Sequence, residues 1–311
     1  MTELQLKDLN EKLKGHFVVI DENAYKGWHR FFGGNCFCIK GGETIKDFKH
    51  AERLIVKMLK LGIKRSDTIV AVGGGAVLDL VGFVASIYMR GVAWINVPTT
   101  LLSMADSSIG GKTAINAGGI KNIAGSFYPP KETIFCYEFL QSLDENEIKN
   151  GFCEIIKTAL LDKKLFEMVD NDEDLKTIIR ECVRVKREYA ESDLYDKGKR
   201  QFLNLGHTIG HGIESVYGLP HGICVAIGLD LETKILGTAP KKLQAWIEQK
   251  TNKAIGQLPN FDIDIDKVAR VMASDKKNKN GINFVCLEDV GICKMVELEK
   301  EEVVKRWKKI N

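Results

Sequence analysis

Short β-branched runs alternate with amphipathic stretches through the first half of the chain. That alternation predicts a parallel sheet covered by helices on both faces. Residues 17–21 (FVVID), 36–40, 68–72 (TIVAV), 92–97 and 133–137 read as strands. Residues 46–61 put Phe48, Ala51, Leu54, Ile55, Met58 and Leu59 on one helical face, and a second helix is predicted over 77–89. After residue 140 the texture changes. Helical patterns over 144–161, 172–192, 201–217 and 221–236 dominate, with one small hairpin expected from 282–287 and 292–296. The pattern predicts an α/β domain over residues 1–141 and a mainly α-helical domain over 142–311, with a ligand cleft expected between them.

Composition narrows the function classes. The 311 residues are 44% hydrophobic and 28% charged, with a net charge of +3. No long basic run stands out, so nucleic acid is not the expected partner. No apolar run is long enough to span a bilayer. The opening MTELQLKDLNEKLKG is charged and amphipathic, without a signal-peptide core. The eight cysteines form no CxxC pair, which predicts reduced thiols and a cytoplasmic protein.

Four constellations carry candidate chemistry. Residues 98–122, PTTLLSMADSSIGGKTAINAGGIKN, show no helical stripe and set Asp106, Lys112, Asn116, Lys121 and Asn122 among small residues. They are expected to form an irregular buried loop that offers a lysine and amides to an anionic ligand. The run TIVAVGGGAVLD ends a strand in three glycines and opens a helix, where backbone N–H groups can approach a pyrophosphate; a plain tight turn would use the same glycines. Asp21, Asn23, Glu43 and Lys46 follow two earlier strands, where a ribose could be held.

In NLGHTIGH, His207 and His211 lie four apart and share a helical face, and His221 follows a short loop. Three of the six histidines thus fall within fifteen residues, a set suited to a transition metal, or to core histidines bonded to backbone. Glu154 and Lys157 share a face of an otherwise apolar helix. They form either a surface ion pair or a partly buried one that wants a metal or an anion. Arg90, Lys186, Arg200 and the Lys276-Lys277 pair are uninformative singly.

Taken in order, GGGAVLDLVGF, YMRG, PTTLLSMADSSIGGKTAIN, KNIAGSFYPP, EIIK, RQFLNLGHTIGH and DKK resemble the 3-dehydroquinate synthase family of sugar-phosphate cyclases. The resemblance implies a Rossmann-like N-terminal domain, a helical C-terminal domain and a homodimer. It implies Glu154, His207 and His221 as ligands of zinc, with cobalt as an alternative. Lys112, Lys157, Lys186, Asn204 and His211 match catalytic positions, and Arg90, Asp106, Asn122, Arg200, Lys276 and Lys277 match substrate-binding ones. Asp21, Asn23, Glu43, Lys46, Gly74, Gly75, Asp79, Thr99, Thr100, Lys112 and Lys121 fall where the family holds NAD.

The implied substrate is a small sugar phosphate, 3-deoxy-D-arabino-heptulosonate 7-phosphate. The implied reaction is transient oxidation by NAD, phosphate elimination, re-reduction and intramolecular aldol closure. Arg200 suits a bidentate hold on a substrate carboxylate. The chain departs from the family in its short, helical N-terminus, in Ile223 where an acidic residue is common, and in Thr158 where an aromatic is common. A metal-dependent alcohol or glycerol dehydrogenase, or a non-catalytic NAD-binding paralogue, is the competing expectation.

Overall fold

The computed structural model describes residues 2–32, 36–256, 263–273 and 281–310. The chain divides into two compact units, Met1–Asp144 and Glu145–Asn311.

In the first unit the elements run β1 (Thr2–Glu3), α1 (Leu6–Leu13), β2 (Phe17–Asp21), α2 (Glu22–Trp28), β3 (Cys36–Ile39), α3 (Phe48–Lys60), β4 (Thr68–Gly73), α4 (Gly75–Ile87), β5 (Ala93–Pro98), β6 (Lys112–Ala117), β7 (Ile120–Phe127) and β8 (Glu132–Phe135). Six parallel strands form one sheet in the order β1-β8-β5-β4-β2-β3. The chain steps outward from β2 to β3 and then returns to the other side of β2 with β4. The topological switch therefore lies between β2 and β4. The registers Asp21↔Ile39 and Gly73↔Pro98 align the carboxyl ends of these strands, which is where open α/β sheets bind ligands. Val19, Ile69 and Ala71 of the sheet pack with Leu80, Val81 and Val84 of α4 in a continuous core. The strands are apolar at consecutive positions because both sheet faces are covered.

Three expectations need correction here. The helix predicted from 46 begins at Phe48, because Asp47 caps it by accepting the His50 N–H at 2.7 Å. Lys46 is thereby left outside the helix. Residues 98–122 are not one buried irregular loop. They contain a π-helical turn (Ser103–Ser107) followed by an antiparallel hairpin of β6 and β7. Ser103, Met104 and Ala105 are buried, but Lys112, Lys121 and Asn122 are exposed. The N-terminus also carries the short strand β1 ahead of its helix, paired to β8.

The second unit contains α5 (Glu145–Ala159), α6 (Lys163–Asp170), α7 (Leu175–Ser192), α8 (His207–Tyr217), α9 (His221–Leu236), α10 (Lys241–Ile255), α11 (Ile265–Ala273), the hairpin β9 (Ile282–Asp289) and β10 (Ile292–Leu298), and α12 (Lys300–Ile310). Asp174 caps α7 by accepting from Thr177 N at 3.1 Å, so this helix starts later than its apolar pattern. The helix predicted over 201–217 is broken. A 3-10 turn (Lys199–Asn204) is separated from α8 by Gly206, whose φ of 75° cannot belong to a right-handed helix. No helix among the described residues is long and apolar enough to cross a membrane. All eight cysteines are thiols without a disulfide.

Candidate active site

The first unit gathers predicted residues at the carboxyl edge of its sheet. Lys46 is 4% exposed. Its Nζ lies 2.7 Å from Asp79 Oδ2 and donates to Asn122 Oδ1 as well, with Glu43 at 3.6 Å. Asn116 joins the group: its Nδ2 donates to Glu43 at 2.8 Å, and its Oδ1 accepts from the Asn122 backbone at 2.8 Å. Asn122, matched above to substrate, thus stands with Glu43, Lys46 and Asp79, which were matched to NAD. Asp21 ends β2 and accepts from Asn23 N at 2.7 Å, capping α2.

Gly74 and Gly75 open α4, with no side chain capping it. A Cβ on Gly75 would lie 2.8 Å from Ser107 Oγ, and one on Gly74 would lie 3.1 Å from Thr100 Cγ2. The glycines therefore let Thr100, and Ser107 of the π-helical turn, pack closely against the start of α4. Thr99 is buried, its N–H donating to Gly73 O at 3.0 Å, while the Thr100 hydroxyl bonds Ser103 Oγ at 2.9 Å. A small polar cavity is lined by Asp79, Asn96, Ser107, Ser108 and Lys112. Asp106 lies half-buried in the π-helical turn. Arg90 is exposed, at a φ of 66°.

The second unit builds a different kind of cluster. Helix α5 carries Glu154 and Lys157 on its buried side, at 0% and 1% exposure. The expectation of a surface or partly buried pair gives way to a fully buried one, because Ile155, Ile156 and Ala159 are buried around it. The carboxylate is divided. Oε2 lies 3.0 Å from Lys157 Nζ, while Oε1 lies 3.1 Å from His221 Nε2 and 3.5 Å from His207 Nε2. Neither oxygen has a well-directed hydrogen bond.

Both imidazoles are oriented from behind. His207 Nδ1 lies 3.1 Å from Leu205 O, and His221 Nδ1 lies 3.0 Å from Glu214 Oε2. With Nδ1 held from behind, each Nε2 is turned toward Glu154, which is how metal-ligating histidines are held. Burial pushes the His207 imidazolium down to about 3, against the pull of Glu154. Burial acts the same way on His221, but contact with Glu154 and Glu214 outweighs it and pushes the group up to about 10. Glu154 is opposed by burial as well, yet Lys157 and then the two histidines hold it well below the usual carboxylate range.

These donors fit a metal ion. A tetrahedral zinc with nitrogen and oxygen ligands at about 2.1 Å spaces its ligand atoms about 3.4 Å apart. The separations of 3.1 and 3.5 Å from Glu154 Oε1 match that spacing. The ligand atoms of His207, His221 and His211 also lie within 4.8 Å of one another, with His211 the exposed member. Lys186 is buried on α7. Arg200 is 2% exposed and donates from Nη1 to Leu194 O at 3.1 Å, while Asn204 ends the 3-10 turn and is half-buried. Lys276 and Lys277 lie outside the described residues.

Sequence reasoning missed Glu214. A signal was present: residues 207, 211 and 214 are spaced as one helical stripe, which carries two imidazoles and a carboxylate.

The parallel sheet with its carboxyl-edge cluster, followed by a helical unit with a buried Glu-His-His group, defines a dehydroquinate synthase-like α/β protein. A crystal structure of 2-deoxy-scyllo-inosose synthase complexed with carbaglucose-6-phosphate, NAD⁺ and Co²⁺ superposes with a TM-score of 0.86 over 99% of this chain and 96% of that one; at 24% identity the likeness is one of fold. The chain belongs to the 3-dehydroquinate synthase family: residues 36–150 match the family's N-terminal domain and residues 151–278 its C-terminal domain. The 3-dehydroquinate synthase of Clostridium tetani is 39% identical over 286 residues, covering 86% of this chain and 76% of the relative. The bifunctional shikimate kinase/3-dehydroquinate synthase of Thermotoga maritima is 34% identical over 95% of this chain, which spans 62% of that longer protein.

Proposed function

We propose that this chain is a 3-dehydroquinate synthase, a carbon–oxygen lyase that converts 3-deoxy-D-arabino-heptulosonate 7-phosphate to 3-dehydroquinate and phosphate. The observation that carries the reading is the divided carboxylate of Glu154, with Lys157 on one oxygen and two oriented imidazoles on the other, in a chain of this family. Glu154, His207 and His221 would hold zinc or cobalt, and the carboxyl edge of the first unit's sheet would hold NAD. When bound, the metal would supply Lewis acidity toward a substrate oxygen, and NAD would supply a reversible hydride acceptor.

The chain's own residues do the rest. Lys157 neutralises Glu154 and fixes which oxygen faces the histidines. Glu214 holds His221 through Nδ1 and directs its Nε2 toward Glu154. Lys46 draws Asp79 and Asn122 together beside the start of α4, whose N–H groups suit a pyrophosphate. Lys112, Lys186, Asn204 and His211 are read as acting on the substrate. Arg90, Asp106, Arg200, Lys276 and Lys277 are read as binding it. The working form is read as a homodimer, which light scattering checks.

The test is phosphate release from the heptulosonate phosphate by the purified protein with NAD⁺ and zinc, with NADH absorbance followed in parallel. Equimolar phosphate and 3-dehydroquinate without accumulating NADH are expected. Net NADH from simple polyols, without phosphate release, would establish a dehydrogenase instead.

A further inference from the structure

Helix α8, which carries His207 as its first residue, begins without a capping side chain of its own. Two of its first-turn donors are taken by a carboxyl group from the next helix. Glu232 of α9 accepts from Gly206 N through Oε2 at 3.0 Å and from Ile209 N through Oε1 at 2.8 Å. The two bonds flank His207 in sequence. Glu232 is 1% exposed.

The usual solution would be a Ser, Thr, Asp or Asn at position 206. Packing forbids it. A Cβ on Gly206 would lie 2.7 Å from Leu229 Cγ and 3.0 Å from Leu229 N, in a residue already at a φ of 75°. On the facing helix, a Cβ on Gly228 would run into the Gly206 carbonyl. The two backbones touch here, so the cap comes from α9 itself. It stands one turn beyond Gly228, the spacing that keeps residues 228 and 232 on one face. The same helix begins with His221. One buried carboxyl group therefore ties the first turn bearing His207 to the helix bearing His221.

We propose that Glu232 is a positioning residue for the metal centre: it sets the rotation of the first turn of α8 so that His207 Nε2 meets Glu154 and His221 at ligand spacing. This rests on the reading of Glu154, His207 and His221 as metal ligands. Residues that orient metal ligands from behind change metal affinity about 10- to 100-fold when removed. Glu232→Leu, which keeps the volume and loses both acceptors, is expected to weaken Co²⁺ binding by about that factor and to alter the cobalt d–d spectrum. Glu232→Gln, which keeps one acceptor oxygen, is expected to recover part of both.

The experiment is cobalt titration of the metal-stripped full-length protein and its variants, with His207→Ala as control and far-UV circular dichroism as the check of folding. If Glu232→Leu does not fold, Glu232→Gln decides. Unchanged affinity and spectrum in the folded variant, with cobalt lost in His207→Ala, overturn the positioning role and leave the metal reading intact. Cobalt binding retained in His207→Ala overturns the metal reading, and the proposal falls with it.

Discussion

The two units handle a buried charged lysine in opposite ways. Lys46 is fully answered: Asp79 and Asn122 bond it and Glu43 stands near, with Glu43 and Asn122 at the surface. Around Lys157 the charged pair itself is withdrawn from water while His221 and His211 reach it, and the carboxylate opposite has imidazole nitrogens on one side in place of well-directed donors. The first arrangement satisfies its lysine with groups of the chain itself. The second sets a buried carboxylate oxygen against two imidazole Nε2 atoms, a donor set that suits a metal ion, whose binding would displace the His221 proton.

The sharpest way to break this contrast is His207→Ala. Metal content and phosphate release are expected to fall together, turnover by roughly 10³-fold, because Lewis-acid stabilisation amounts to several kcal/mol. Full turnover in a metal-free variant would end the assignment. Lys157→Ala comes next. It leaves Glu154 buried without its cation, at a stability cost of about 3–5 kcal/mol in the metal-free protein. Zinc should reduce that cost by taking over the neutralisation, so melting curves with and without zinc should converge in the variant more than in the parent.

Lys46→Met probes the other unit. It removes hydrogen bonds donated by a charged group, each contributing about 1.5–3 kcal/mol, and NAD binding measured by calorimetry should weaken about 10-fold or more. Metal content should be unchanged; a parallel loss of metal would erase the distinction between the clusters. A further test concerns pH. Burial pushes the Glu232 carboxyl up to about 8 from 4.5. The folded protein thus keeps a proton that the unfolded chain has lost. The stability is fully present below about pH 4.5, declines as pH rises, and is lost once pH passes about 8. Glu232→Gln should flatten that slope in urea midpoints taken across the window.

Much of this was legible in the residues. The strand runs, the glycine turn and the histidine spacing follow from local periodicity, which a parallel sheet and an amphipathic helix both obey. The break before His207 was hidden because LNLGH continues an apolar pattern, and only the left-handed φ of Gly206 ends it. Glu232 was hidden for a related reason. Glu232, one of two acids in the run ICVAIGLDLETKIL, reads as a solvated position until the contact between helices brings two N–H donors to it. The burial of Arg200 and the exposure of Lys112 depend on tertiary neighbours and leave no periodic trace.

The donors of the second cluster come from three helices, α5, α8 and α9, spread from residue 154 to residue 221. An ion held by all three would act as a cross-link, so the free metal concentration would become a folding variable. At a hundred times its dissociation constant it would add about 2.7 kcal/mol to the stability of the Glu145–Asn311 unit. A chelator would then make that unit the first to open. Heating a metal-depleted sample should separate one broad melting transition into two, with proteolytic cuts appearing first on the carboxyl side of residue 145.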